Sequence, residues 1–207
     1  MKKPLFLLFI FSIFLSAQAD RKKVLIIGDS ISIAYTPHVV NELKDIADVK
    51  RNEGNAGPTL RGLENIDQWL GDTKWDIIHF NWGLWDMYRW RYEKFDQSPE
   101  AYEKNLDTLV SRLKKTGARL IWATTTPACP EGEKKIKIKI DKETEAKYLS
   151  AAAKVMKKHG VSINDLNAFM APQWEKYKIA DNDVHYNKEG SKALGKKVAE
   201  AIKKELK

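Results

Sequence analysis

Five short strand-like stretches, each followed by a stretch with helical spacing, constrain this chain more than anything else in it. Val24-Leu25-Ile26-Ile27 is a buried strand by composition, and Val49–Glu53, Trp75–Trp82, Arg119–Ala123 and Val161–Ile163 follow as four more. Between them, Thr36–Ala47 carries Val39, Val40, Leu43 and Ile46 on one side, and Thr59–Leu70 carries Leu60, Leu63, Ile66 and Leu70 one turn apart. Pro99–Thr116 has Tyr102, Leu106, Leu109 and Leu113 as its stripe, and its proline stands where a first helical turn accepts one. Thr144–His159, Leu166–Tyr177 and Gly190 to the C-terminus complete the predicted helices, the second of them in spite of Pro172. Strands alternating with helices predict a parallel sheet covered on both faces, with right-handed connections. In such folds chemistry gathers at the carboxyl ends of the strands. Ser30, Gly57, the Gly83–Asp86 loop and the Pro127 loop all follow strands, so one edge of the sheet should hold them.

The N-terminus reads differently. Lys2 and Lys3 precede an apolar run, Pro4–Leu15, and Ala17-Gln18-Ala19 forms a small-x-small cleavage signal. This predicts a secretory signal peptide over residues 1–19, cleaved after Ala19, and a secreted or periplasmic mature chain forming one domain over 20–207. The run is short for a membrane anchor, and no later segment is long and apolar enough to span a bilayer. The chain has a formal net charge of +8, and losing Lys2 and Lys3 leaves +6, a balance suited to acidic partners. The lysines are scattered, and export argues against nucleic acid as a partner. The single cysteine, Cys129, excludes an internal disulfide and a cysteine framework for zinc.

Gly28-Asp29-Ser30 ends the first strand abruptly. On its own it is a strand-exit turn and helix cap as readily as a nucleophile. Three later stretches give it company: Asn55-Ala56-Gly57, Gly83-Leu84-Trp85-Asp86 and Asp183-Val184-His185. In this order the four blocks resemble those of the SGNH (GDSL-type) hydrolases, esterases on a three-layer α/β/α, flavodoxin-like fold with a five-stranded, mostly parallel sheet. The resemblance runs over nearly the whole mature chain. It implies Ser30 as nucleophile, His185 as catalytic base, and the N–H groups of Ser30 and Gly57 in an oxyanion hole. Such chemistry needs a base to activate the hydroxyl and preset donors for the tetrahedral intermediate. It implies no metal or cofactor.

Two positions depart from the family's pattern. Its third block has an asparagine that helps hold the oxyanion, and Trp85 stands there instead. Tryptophan owns an N–H, so Trp85 can substitute, and Asn81 is the other donor nearby. Asn81 equally suits a bracing role at the strand exit, and Asp86 is expected to brace the loop. The family commonly has an aspartate three residues before the histidine, where this chain has Asn182. Asp183 is the favoured orienting acid, with Asp181, Asn182 and a backbone carbonyl as alternatives.

The remaining features are weaker. Trp82, Trp85, Tyr88, Trp90 and Tyr92 crowd one loop with Arg89 and Arg91. Of these Trp82, Trp85, Tyr88 and Arg89 are expected to bind substrate, as a stacking wall with a partner for anionic groups. Core packing would account for about half of such aromatics. Lys135–Ile140 alternates lysine and isoleucine within 131–141 and reads as a surface flap. Gly190–Lys196 imitates a phosphate loop but lacks the following hydroxyl residue and the preceding strand. There is no Gly-x-Ser-x-Gly, and His38, His79 and His159 have no ligand spacing. The expected function is a secreted serine esterase acting on a small-molecule or polysaccharide ester, with deacetylation of carbohydrate favoured by the aromatic loop. The alternatives are a carbohydrate-binding protein on the same fold with weakened or lost catalysis, and an acyltransferase. The exact ester and the oligomeric state are not written in the sequence.

Overall fold

The computed structural model describes residues 21–129 and 139–207. The expected signal peptide and all but the end of the expected lysine–isoleucine flap therefore lie outside the described residues. The five strands are β1 (Lys22–Ile27), β2 (Ala47–Arg51), β3 (Ile77–Phe80), β4 (Arg119–Ala123) and β5 (Ser162–Asn164). They form one sheet in the order β2-β1-β3-β4-β5, and every neighbouring pair is parallel. This is the flavodoxin-like order, whose direction of winding reverses beside β1.

Burial explains the strand sequences. Val24–Ile27 and all of β3 are buried on both faces, which is why they read as unbroken apolar runs. At the edge, β2 alternates instead, with only Ala47 buried. On one face α1 (Ser30–Leu43) packs on α8 (Lys188–Leu206); on the other, α4 (Pro99–Lys114) packs between α2 (Thr59–Leu70) and α5 (Lys142–His159). The short helices are α3 (Leu84–Tyr88), α6 (Leu166–Met170) and α7 (Trp174–Tyr177).

Three elements differ from expectation. Helix α1 begins at Ser30 and not at Thr36, because Asp29 caps it by accepting the Ile31 N–H at 2.9 Å. Pro37, which looks like a helix-start residue, lies inside the helix. Leu166–Tyr177 is not continuous: Pro172 breaks it into α6, a 3-10 turn over Ala171–Gln173, and α7. The loop after β3 holds a helix, α3, which buries Leu84, Asp86, Met87 and Tyr88.

Candidate active site

The turn after β1 places Ser30 at the first position of α1. Gly28 is required there, since a Cβ would come within 2.9 Å of the Ser32 Cβ. Its N–H donates to Asn52 Oδ1 at 3.0 Å, at the end of β2. The cap and nucleophile readings of this tripeptide thus coexist: Asp29 caps and Ser30 follows. The amide of a first helical residue is not consumed by the helix, and the helix N-terminus favours negative charge beside it.

His185 comes from the opposite end of the sequence. Its segment is fixed by buried Val184 and Tyr186, by a bridge between Lys178 and Tyr186, and by the Asn187 N–H donating to Tyr177 O at 2.8 Å. Asn187 then caps α8 through the Gly190 N–H at 2.9 Å. These anchors bring His185 Nε2 to 2.8 Å from Ser30 Oγ. Its Nδ1 lies 2.5 Å from Asp183 Oδ1, and the same oxygen accepts the His185 backbone N–H at 3.0 Å. A carboxylate at Nδ1 requires the proton there, which leaves Nε2 free to accept the serine proton. Asp183 is buried, whereas Asn182 is exposed and Asp181 pairs with Lys178. Of the acids weighed for orienting the ring, the structure brings Asp183 to it.

A second carboxylate lies close by. Burial raises the pKa of Asp29 above the ordinary aspartate range, opposed by the Ile31 N–H and by the nearby His185. The cap residue is thus a second acid whose charge is felt by His185. Sequence reasoning missed this, and the only signal available was the acid adjoining the serine.

The expected oxyanion donors are differently engaged. Ala56 N–H donates to Gly28 O at 3.1 Å, which lays the loop carrying Gly57 against the nucleophile turn. Gly57 has φ +59, and its N–H donates to Asn55 Oδ1 at 2.8 Å. That amide is therefore not idle, and an oxyanion would have to share or displace the Asn55 carbonyl. Asn81 donates from Nδ2 to Ala123 O at 2.8 Å, tying the exit of β3 to the end of β4, which is the bracing alternative. The Trp85 indole N–H is buried with no hydrogen-bond partner among the described residues, and its ring meets Trp90 edge-on at 5.3 Å.

Two expected substrate contacts are corrected. Trp82 is 1% exposed, and its indole lies against the backbone of Gly62, where no side chain would fit. Tyr88 is also 1% exposed; its hydroxyl accepts the Cys129 N–H at 2.9 Å, and its ring stacks on Trp90 at 4.9 Å. Both belong to the core. Arg89 is exposed, ending α3 in a left-handed conformation at φ 52.

Asp86 braces, as expected. It accepts the Thr59 N–H at 3.0 Å and the Thr59 hydroxyl at 2.6 Å. Pro58 offers no side-chain cap for α2, so the cap comes from α3 instead. Full burial pushes the Asp86 carboxyl up to about 7, against the pull of the Thr59 donors. Among the described residues, no group of three His, Cys, Asp or Glu side chains is placed to hold a metal ion.

A serine, a histidine and an aspartate in one hydrogen-bonded line, at the carboxyl edge of a five-stranded parallel sheet, define the class: an α/β serine hydrolase. Residues 26–193 match the model of the GDSL-like lipase/acylhydrolase family, and the chain belongs to that family. Solved structures share the fold. They include a lipase/acylhydrolase from Enterococcus faecalis (18% identity, TM-score 0.73, covering 88% of this chain and 95% of that one). An acetyl xylan esterase has 17% identity and TM-score 0.71, over 87% of this chain and 99% of its own. The psychrotrophic esterase EstA from a Pseudoalteromonas species has 15% identity and TM-score 0.70, over 89% and 98%. None of the curated proteins matches the chain in sequence.

Proposed function

We propose that this serine hydrolase is exported after cleavage following Ala19 and removes acetyl groups from carbohydrate. The hydrogen-bonded line Ser30–His185–Asp183 is the observation that carries the catalytic part. Ser30 Oγ attacks the ester carbonyl while His185 Nε2 takes its proton; Asp183 holds the proton on Nδ1 and stabilises the imidazolium. His185 then protonates the departing alcohol. Water, deprotonated by the same nitrogen, cleaves the acyl-enzyme. The Ser30 amide, the Gly57 amide once released from Asn55, and the unpartnered Trp85 N–H are the donors assigned to the oxyanion.

The carbohydrate part rests on different support. Trp85 and Trp90 are partly exposed beside exposed Arg89 and Arg91, a surface suited to sugar rings that carry acidic groups. The similar fold of an acetyl xylan esterase agrees with it. Export is supported by Lys2, Lys3, the Pro4–Leu15 run and Ala17-Gln18-Ala19.

A second reading, a carbohydrate-binding protein with weakened catalysis, is favoured by one observation: the Gly57 N–H and an Asn81 amide hydrogen already have partners. Acetate release from acetylated xylo-oligosaccharides decides between them. Turnover by the wild type, abolished in Ser30→Ala, is the expected outcome. Binding of the oligosaccharide without turnover establishes the second reading, and turnover that survives Ser30→Ala rejects the serine mechanism.

A further inference from the structure

We infer that Arg51 is a positioning residue for catalysis, setting the spacing between the nucleophile turn and the oxyanion loop; this rests on the esterase reading above. Arg51 is the last residue of β2, paired in register with Ile26 of β1. Its guanidinium lies in the gap between the two loops that follow these strands. Nη1 donates to Gly28 O at 3.2 Å, Asn52 Oδ1 at 3.1 Å and Ser32 Oγ at 3.4 Å. Nη2 donates to Gly54 O. One planar group thus holds a carbonyl two residues before Ser30 and another three residues before Gly57.

The rest of the network ties the same two loops at neighbouring atoms, and Arg51 touches most of it. Gly28 is held at its N–H by Asn52 Oδ1 and at its carbonyl by the Ala56 N–H and by Arg51. Asn52, whose Nδ2 donates to Glu53 O at 3.2 Å, is itself oriented by Arg51 at Oδ1. Asn52 joins the same two residues more weakly, accepting the Gly28 N–H at 3.0 Å and donating to Gly54 O at 3.5 Å, whereas Arg51 holds both carbonyls with one guanidinium. A lysine keeps the charge but has a single nitrogen, so it cannot reproduce the fork. The guanidinium also lies near the buried Asp29 carboxyl, so its charge offsets part of the cost of burying that group beside the turn.

An oxyanion hole acts through the placement of its donors, and a displacement of about 1 Å far from the reacting atoms is able to cost ~10²-fold in rate. Loss of the Arg51 fork should therefore lower kcat with little effect on KM, because the fork's hydrogen bonds go to the two loops.

The test is steady-state hydrolysis of p-nitrophenyl acetate by wild type, Ser30→Ala, Arg51→Gln and Arg51→Lys, with thermal melts of each and with methylguanidinium added to Arg51→Ala. The wild type and Ser30→Ala judge the esterase reading independently: without serine-dependent turnover, that reading fails whatever Arg51 does. Given turnover, we expect kcat to fall by about 10²-fold in both Arg51→Gln and Arg51→Lys, KM to stay within about twofold, and methylguanidinium to recover activity in Arg51→Ala. Three results overturn the inference: wild-type kcat in the Arg51 variants at temperatures where they are folded, a raised KM at unchanged kcat, or full activity in Arg51→Lys. If Arg51→Gln does not fold, Arg51→Lys and the methylguanidinium recovery decide it on the same terms.

Discussion

Asp183 accepts two hydrogen bonds from one residue, the backbone N–H and the ring of His185, through a single oxygen. That arrangement fixes ring and backbone together, so replacing the acid should disturb the tautomer more than the fold. Asp183→Asn is expected to lower kcat by about 10⁴, as loss of the orienting acid does in a serine protease. Asp181→Asn, which loses only an exposed pair with Lys178, should stay within about twofold. Parallel ester assays of the two variants check this; equal losses would mean that the acid next to the ring is not what orients it. At this scale the sequence was informative where chemistry restricts the residue type. Ser30 and His185 were legible because few side chains serve as nucleophile and base. Trp82 and Tyr88 misled because an aromatic cluster in a loop looks the same whether it faces sugar or core. Tyr88 is turned inward by α3, five residues long and too short to leave a periodic signature, and Trp82 lies just before that helix with its indole against Gly62.

The helices show where punctuation residues carry two meanings. The expected start of α1 at Thr36 falls beside Pro37, and proline inside a helix is rare. The Asp29 cap overrides it: Ile33 N–H still reaches Asp29 O at 3.1 Å, so the helix is established a turn before the proline arrives. Pro172 acted in the opposite way and divided a segment expected to be continuous. The difference lies in what surrounds each. Helix α1 packs along α8 for much of its length, with His38 pressed on Gly195, while α6 and α7 are each one turn long and have little to lose. Pro37 nonetheless leaves the Ile33 carbonyl without its intrahelical donor. Pro37→Ala should stabilise the fold by about 2 kcal/mol, the cost of an interior proline less the entropy its ring removes from the unfolded chain. A higher urea midpoint with unchanged slope is the expected result, and a lower midpoint would show that the neighbouring helix requires the kink.

Two buried titratable groups with opposite effects on acid stability act on the molecule as a whole. His79, in the middle of β3, is fully buried; its Nε2 meets Asn164 Nδ2 at 3.2 Å, and burial pushes its pKa from 6.5 down to about 3. Between those values the unfolded chain holds a proton that the folded chain lacks, so this group makes stability fall as pH drops below 6.5. Asp86 is the reverse. Its carboxyl rises from 3.8 to about 7, so the folded chain holds the extra proton, and stability falls as pH rises from 3.8 towards 7. Each acts at about 1.4 kcal/mol per pH unit within its window. From pH 3.8 to 6.5 the windows overlap, and the two slopes cancel. Removing either group should therefore expose the other. Asp86→Asn is expected to acquire a stability that climbs with pH across this interval relative to wild type, and His79→Gln one that declines. Urea midpoints measured at several pH values between 4 and 6.5 make the comparison, with each variant referred to wild type so that the exposed carboxylates drop out. Variants that run parallel to wild type would show that neither proton is held as the burial of β3 and of the α2–α3 junction requires.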